Sequence, residues 1–349
     1  MHIKLGKRKI GKGHPVFIVA EMSGNHNKSL ARALKIVDAA SRAGADAIKL
    51  QTYTPNTLTI DSDKKWFKIP KASGWSGKTL YELYKQAYTP WEWHDKIKKH
   101  AEKKGLIFFS TPFDETAVDF LKKMNVPAYK VASFEIGDIE LLKKIGQQKK
   151  PVIISRGMAS KEEIKLALRA LRSGGAKEIA VLHCVSAYPA KAEDMNLATI
   201  PDIAKQFKVV SGLSDHTLGS EAAIASVALG ANIIEKHVTL KRSDGGPDAA
   251  FSLEPIELKE MVSLIRKAEK AIGRPVYNVS KSEQCNTQFK RSLFAVKDIK
   301  KGAVFNKTNV RSIRPGSGLS PKHYNEILKK SAKTDIEKGT PLSWKLVGK

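Results

Sequence analysis

Ala231-Asn232-Ile233-Ile234-Glu235-Lys236-His237-Val238-Thr239-Leu240 reads as a buried strand that changes character at its end. The apolar run supplies packing, and the strand then delivers a carboxylate, an ammonium and an imidazole. Upstream, Lys208-Val209-Val210-Ser211-Gly212-Leu213 runs into Ser214-Asp215-His216-Thr217, a second strand ending in polar groups. If the two strands are parallel neighbours, His216 and His237 converge at the carboxyl edge of a sheet with Glu235 and Asp215 beside them. Two imidazoles plus water suit a divalent cation with open coordination positions, a catalytic rather than a structural arrangement. The alternative is two unrelated histidines, each satisfied by a backbone carbonyl, because two ligands do not define a metal site.

The same reading extends outward. After a short basic hairpin-like lead over residues 3–14, candidate strands follow at Val16 to Ala20, Ala47 to Gln51, Leu106 to Ser110, Ala128 to Val131, Val152 to Ser155, Ile179 to His183, Val209 to Leu213 and Ile233 to His237. Amphipathic helices alternate with them, at Leu30 to Ala43, Trp91 to Lys104, Glu115 to Met124, Ile139 to Gln147, Lys161 to Arg172, Leu197 to Gln206, Glu221 to Leu229 and Glu257 to Ile272. Eight strands each followed by a helix predict a (β/α)8 TIM barrel, α/β in class, with its active site at the strands' carboxyl ends. A doubly wound open sheet is the competing fold, but no GxGxxG follows the first strand.

Every strand closes on polar chemistry: Glu21, Lys49 with Gln51, Ser110-Thr111, Lys130 with Ser133, Ser155-Arg156, His183 with Ser186 and Tyr188, Ser214 to His216, and Glu235 with His237. Packing gives no reason for this, whereas an anionic substrate held by Lys49, Lys130 and serine hydroxyls does. A lysine inside an apolar strand is costly unless it meets an anion. The alternative is that both lysines snorkel outward between helices.

With 349 residues and an apolar fraction of 42%, the chain is long enough for one large folded domain and a small one. No apolar run approaches membrane-spanning length and Met1-His2-Ile3-Lys4 opens no signal peptide, so a cytoplasmic protein is expected. Cys184 and Cys285 have no CxxC partner, which argues against disulfide or zinc-finger chemistry. The net charge of +26 would ordinarily suggest nucleic acid or an acidic membrane, but the lysines are scattered through every helix. The aromatic residues are few and cluster in Trp66, Trp75, Trp91 and Trp93 instead of interleaving with a basic stripe. A polyanion-binding protein is the weaker alternative, and neither nucleic acid nor membrane is expected as a partner. A positive field would still draw in an anionic substrate.

Asn278-Val279-Ser280-Lys281-Ser282 is a polar linker, beyond which the composition changes to short strands and turns. Asp298-Ile299-Lys300-Lys301-Gly302-Ala303-Val304-Phe305 has a near copy in Asp335-Ile336-Glu337-Lys338-Gly339-Thr340-Pro341-Leu342. We expect a barrel over residues 1–277, a linker over 278–289 and a small β-rich domain with an internal repeat over 290–349. Between the copies, Arg311 to Leu319 is a glycine-bearing loop, either a substrate contact or a solvated turn.

Ala20-Glu21-Met22-Ser23-Gly24-Asn25-His26-Asn27, Gly44 to Thr52, Lys130-Val131-Ala132-Ser133, Ser186-Ala187-Tyr188-Pro189, Gly212 to Thr217, Glu235-Lys236-His237 and Arg314-Pro315-Gly316 together resemble the sialic acid synthase family. The similarity runs in order over almost the whole chain, and the C-terminal stretch looks like that family's antifreeze-like (SAF) domain. Within the family, Gln51 to Thr59, Ala132 to Ile136 and Ala250 to Pro255 look more like the pseudaminic acid synthases than the N-acetylneuraminate synthases. The latter tend to carry Gly-Glu where this chain has Phe134-Glu135, and a histidine near Ala249.

The resemblance implies condensation of phosphoenolpyruvate with an amino-sugar aldehyde, open-chain 2,4-diacetamido-2,4,6-trideoxy-altrose, with C–O cleavage of phosphoenolpyruvate. The products are a nine-carbon acid and phosphate; N-acetylneuraminate and legionaminic acid synthases are the sibling activities. It also implies a divalent cation, manganese first with magnesium or cobalt as alternatives, held by His216 and His237. Lys49, Thr111, Lys130, Ser133, Ser155, Ser186 and Ser214 would cradle the phosphate and carboxylate, and Glu21 would position the attacking water or move its proton. Tyr188, Glu235 and Asp248 would line the sugar side, with Gln51 and Arg314 as further substrate contacts. A domain-swapped homodimer, in which Arg314 serves the neighbouring subunit, is implied as well. Two positions depart from the family pattern. Lys28 replaces a frequent glycine, opens a helix and reads as solvated, and Arg156 replaces a threonine beside the inferred phosphate pocket, where it either adds an anion contact or alters substrate fit. A 3-deoxy-octulosonate phosphate synthase is the competing condensing barrel, but such enzymes lack the C-terminal domain.

Overall fold

A computed structural model describes residues 1–70 and 75–348, as two units, Met1–Gly273 and Arg274–Lys349. The first begins with a hairpin of β1 (His2–Leu5) and β2 (Arg8–Gly11). It continues through β3 (Phe17–Glu21), α1 (Leu30–Ala43), β4 (Ala47–Thr52), α2 (Pro55–Leu58), α3 (Leu80–Ala87), α4 (Trp91–Lys103), β5 (Ile107–Pro112), α5 (Glu115–Lys123), β6 (Tyr129–Val131), α6 (Ile139–Gln147), β7 (Val152–Ser155) and α7 (Lys161–Gly174). It ends with β8 (Ile179–Cys184), α8 (Thr199–Phe207), β9 (Val210–Asp215), α9 (Glu221–Ala228), β10 (Ile233–His237) and α10 (Pro255–Ile272). Strands β3 to β10 lie in sequence order and close on themselves, β10 pairing in parallel with β3. The expected eight-stranded barrel is what the chain forms.

Alternation along each strand divides the side chains between two cores. Phe17, Val19, Ala47, Phe109, Ala128, Ile153, Leu182, Val210 and Ile233 fill the barrel, and Ile3, Leu5 and Ile10 of the hairpin pack with them. Those barrel residues come mostly from the starts of their strands, so the hairpin covers the amino end. The opposite strand face, with Ile18, Ile48, Phe108, Ile154, Val181 and Ile234, packs against the helices. Helix α1 shows how the sequence commits: Ser29 accepts a hydrogen bond from the Arg32 amide, Ala33, Ile36, Val37 and Ala40 form the buried stripe, and Gly44 at φ 86° stops it.

Helices α2 and α3, in the excursion between β4 and α4, are absent from the periodicity reading. The signal for α3 was present: Thr79 and Glu82 bond each other's amides in a capping box ahead of Leu80, Leu83, Tyr84 and Ala87. Eight residues are too few to dominate a periodicity window. Among the described residues no helix is long and apolar enough to cross a membrane.

In the second unit, β11 (Ser292–Ala295) pairs antiparallel with β12 (Val310–Ile313), and α11 (Tyr324–Ile327) packs with them around Leu293, Phe305, Ile327 and Leu342. The polar stretch before β11 is partly ordered as a 3-10 helix, Lys281–Phe289, capped by Ser280. The sequence repeat is reciprocal in structure. Asp335 accepts from the Lys301 amide at 2.8 Å, Asp298 accepts from the Lys338 amide at 2.7 Å, and Ile299 bridges Ile336. Each copy's aspartate thus holds the other's turn.

Candidate active site

At the carboxyl ends of the strands the inward positions turn polar, and strand register sets them level. His237 stands beside Glu21, Glu21 beside Lys49, and Gln51 beside Thr111. A cavity of about 460 Å³ opens there, lined by Lys49, Gln51, Thr111, Lys130, Ser133, Ser155, Tyr188, Ser214, His216, Glu235, His237 and Asp248. That volume is in the range of small-molecule sites. Glu21 is fully buried behind the lining. Ser186 does not reach the wall: its Oγ lies 3.9 Å from Cys184 Sγ. Arg314 is exposed at the end of β12, in the second unit.

Two lysines and two glutamates meet at the base of the cavity. Lys49 Nζ is 2.5 Å from Glu21 Oε2 and 3.6 Å from Glu235 Oε1, and it donates to Thr111 Oγ1 at 3.3 Å. Lys130 Nζ donates to Ser155 Oγ at 2.6 Å and lies 3.6 Å from Glu235 Oε1. Ser214 Oγ donates to Glu235 Oε1 at 3.2 Å, while Glu235 Oε2 is buried without a hydrogen bond. Burial would raise the Glu235 pKa, but Lys130 and Lys49 outweigh it and hold the carboxyl below its ordinary value. Both lysines point into the barrel, not out between the helices.

The histidine pair sits beside this cluster, with ring centroids 5.3 Å apart. His216 Nδ1 donates to the Val185 carbonyl at 2.9 Å, and His237 Nδ1 lies 3.3 Å from Asp248 Oδ2. His216 Nδ1 is thereby committed to a backbone acceptor, whereas His237 Nδ1, though close to Asp248, is buried without a hydrogen bond. Among the described residues no group of three or more His, Cys, Asp and Glu side chains is arranged for a metal ion. The Tyr188 ring lies tilted against His216, with centroids 4.4 Å apart, and against Trp75 at 5.3 Å.

Asp215 is not beside the histidines as expected. Strand alternation turns it away from the cavity, where it pairs with Lys236 at 2.7 Å. Arg156 is not in the cavity lining; its guanidinium donates to His183 Nδ1 at 3.2 Å. His183 Nε2 in turn bonds the Met195 carbonyl, so this strand-end histidine is occupied structurally. Lys28 is exposed, yet its Nζ rests 3.2 Å from the centre of the Tyr88 ring.

Three features of the site have no counterpart in the sequence expectations. Glu135 lines the cavity with Oε2 buried and unbonded, and burial lifts its pKa to about 7. Leu80, Leu83 and Tyr84 of α3 join Trp75 and Phe113 as apolar lining of the cavity. Gly157 lets its loop approach the serines: a Cβ there would fall 2.3 Å from Ser133 Cβ and 2.8 Å from Ser186 Oγ. The capping box announced α3, whereas the burial of Glu135 and the crowding at Gly157 arise only from tertiary packing.

Fold and cavity together define the class: a (β/α)8-barrel enzyme whose chemistry sits at the carboxyl ends of its strands. The NeuB family model matches residues 36–277, the SAF domain model matches residues 290–348, and the chain belongs to the NeuB family. It is 46% identical over 327 residues to a pseudaminic acid synthase of Campylobacter jejuni subsp. jejuni, across 94% of this chain and 95% of that one. It is 42% identical over 330 residues to a pseudaminic acid synthase of Helicobacter pylori, across 94% and 97%. A crystal structure of the N-acetylneuraminic acid (sialic acid) synthetase of Leptospira borgpetersenii in complex with citrate matches with a TM-score of 0.73 at 35% identity, covering 82% of this chain and 95% of that one.

Proposed function

We propose that the chain is a pseudaminic acid synthase, condensing phosphoenolpyruvate with open-chain 2,4-diacetamido-2,4,6-trideoxy-altrose. The observation that carries this is a lysine pair and a histidine pair facing one cavity, in a chain whose relatives bear that name. The new bond joins C3 of phosphoenolpyruvate to the aldehyde carbon, whose oxygen gains a proton. Water adds at C2, and phosphate leaves with its bridging oxygen by C–O cleavage.

Lys49, Thr111, Lys130, Ser133, Ser155 and Ser214 receive the phosphate and carboxylate in this reading. The two lysines and two glutamates balance in charge, so an incoming anion competes with a carboxylate for the ammonium groups. Glu235 is the one suited to yield, because it sits 3.6 Å from each lysine whereas Glu21 holds Lys49 at 2.5 Å. Glu21 fixes the Lys49 ammonium, and its part in placing water or moving a proton rests on the family resemblance. His216 and His237 would hold a divalent cation, manganese first and magnesium or cobalt next. Such a cation would polarise the aldehyde oxygen as a Lewis acid. Tyr188, Glu235 and Asp248 line the sugar side with Gln51. The wall of Trp75, Leu80, Leu83 and Phe113 suits the methyl end of a 6-deoxy sugar. A cytoplasmic homodimer completes the reading, with Arg314 of one subunit bonding an acetamido carbonyl at the cavity of the other.

Phosphate release from phosphoenolpyruvate, measured with a panel of sugar aldehydes, tests the proposal. Turnover with the diacetamido-trideoxy aldehyde should exceed that with N-acetylmannosamine by about tenfold or more. It should vanish on chelation and return with manganese. Equal use of N-acetylmannosamine would move the assignment to a sibling activity, and full turnover in chelated, metal-free protein would remove the cation.

A further inference from the structure

Behind the cavity wall, the residues that alternate with its side chains form a second polar group. Asp215 and Lys236 stand level across β9 and β10, and both side chains are fully buried. Lys236 Nζ donates to Asp215 Oδ2 at 2.7 Å and to the Thr217 carbonyl at 2.6 Å. Asp215 Oδ1 accepts from the Thr217 amide at 2.9 Å and its hydroxyl at 2.8 Å. Each member precedes a cavity histidine in sequence, His216 after Asp215 and His237 after Lys236.

We propose that the Asp215–Lys236 pair is a positioning device, which sets the separation of His216 and His237 and thereby the affinity of the cation site they form. The inference rests on the cation reading given above. A buried ion pair is weak support for stability, because an apolar pair of similar size often serves as well or better. What an apolar pair lacks is a fixed geometry. In a low-dielectric interior neither strand end can slide or splay without leaving a charge uncompensated, whereas methyl groups tolerate small shifts. One peptide bond carries any such shift to each imidazole. The rings are 5.3 Å apart, and two imidazoles reaching one cation at about 2 Å place their centroids about 5 Å apart. Asp215 and Lys236 line no part of the cavity, so any effect on it passes through the residues that flank them in the chain, His216 and His237 on one side and Ser214 and Glu235 on the other.

The test is a manganese titration of the folded protein without either substrate, read by the electron paramagnetic resonance signal of free manganese. The double variant Asp215→Leu/Lys236→Met should keep its unfolding midpoint but bind manganese at least about tenfold more weakly, the size of effect seen when groups behind metal ligands are lost. Asp215→Glu, which keeps the charge and lengthens the arm, should also weaken binding, and it decides the matter if the double variant does not fold. KM for phosphoenolpyruvate at saturating manganese should change less than manganese affinity does in either variant. Undiminished manganese affinity in either folded variant overturns the proposal. Failure of the unaltered protein to bind manganese overturns the cation site, and the proposal with it.

Discussion

Glu235 is where the charged base of the cavity and its histidine side meet. Lys49 keeps a raised pKa because, although burial opposes its charge, Glu21 and Glu235 outweigh burial; Lys130 has a lowered one because burial dominates. Removing either cation takes a fixed charge from the proposed anion site. Lys49→Ala and Lys130→Ala should each lower kcat/KM for phosphoenolpyruvate by a factor of ten or more, about 1.4 kcal/mol. Unchanged steady-state constants in folded variants would show that these lysines do not meet the substrate. Glu135 predicts a pH effect of opposite kind. Its folded pKa, lifted by burial from 4.5 to about 7, lies above the unfolded one. Folding therefore penalises the ionised form: the penalty is absent below the unfolded value, grows through the interval and is full above about 7. Glu135→Gln should gain up to about 3 kcal/mol of stability at pH 8 and nothing at pH 4, by denaturant melts. Equal gains at both pH values would remove the assignment. The two lysines were legible because they interrupt apolar strands. Asp215 was misread because neighbouring residues of one strand end look alike until alternation is anchored to a pairing partner.

Among the elements, strands and long helices could be read from their periodicity, and α3 could not. Its capping box nevertheless supplies a handle on the apolar wall. Thr79→Ala removes a side-chain acceptor from the first turn, a loss of about 1 kcal/mol. In a helix this short that should loosen Leu80, Leu83 and Tyr84, so KM for the sugar should rise severalfold while KM for phosphoenolpyruvate stays constant. Parallel change in both constants would mean that α3 supports the barrel as a whole instead of the sugar end. The internal repeat of the second unit was legible for a different reason. Its aspartate and glycine recur at fixed offsets because each aspartate must hold the turn of the other copy.

For the whole molecule, the assignment of Arg314 to a neighbouring subunit makes a prediction about mixtures. Arg314→Ala and His237→Ala should each be nearly inactive, and heterodimers formed by co-refolding should regain up to about half the activity per site, since one cavity is then intact. No recovery in proven heterodimers would place the arginine's action within its own subunit or nowhere. The hairpin β1–β2 has a consequence of its own. With Ile3, Leu5 and Ile10 packed into the barrel's amino end, the described residues leave the carboxyl-end mouth as the way into the cavity. Lys49 and Lys130 are 3% and 2% exposed; if they receive the anion as proposed, it should board first and the phosphate it becomes should disembark last. The nine-carbon acid blocks the exit until it leaves, and phosphate should therefore compete with phosphoenolpyruvate alone.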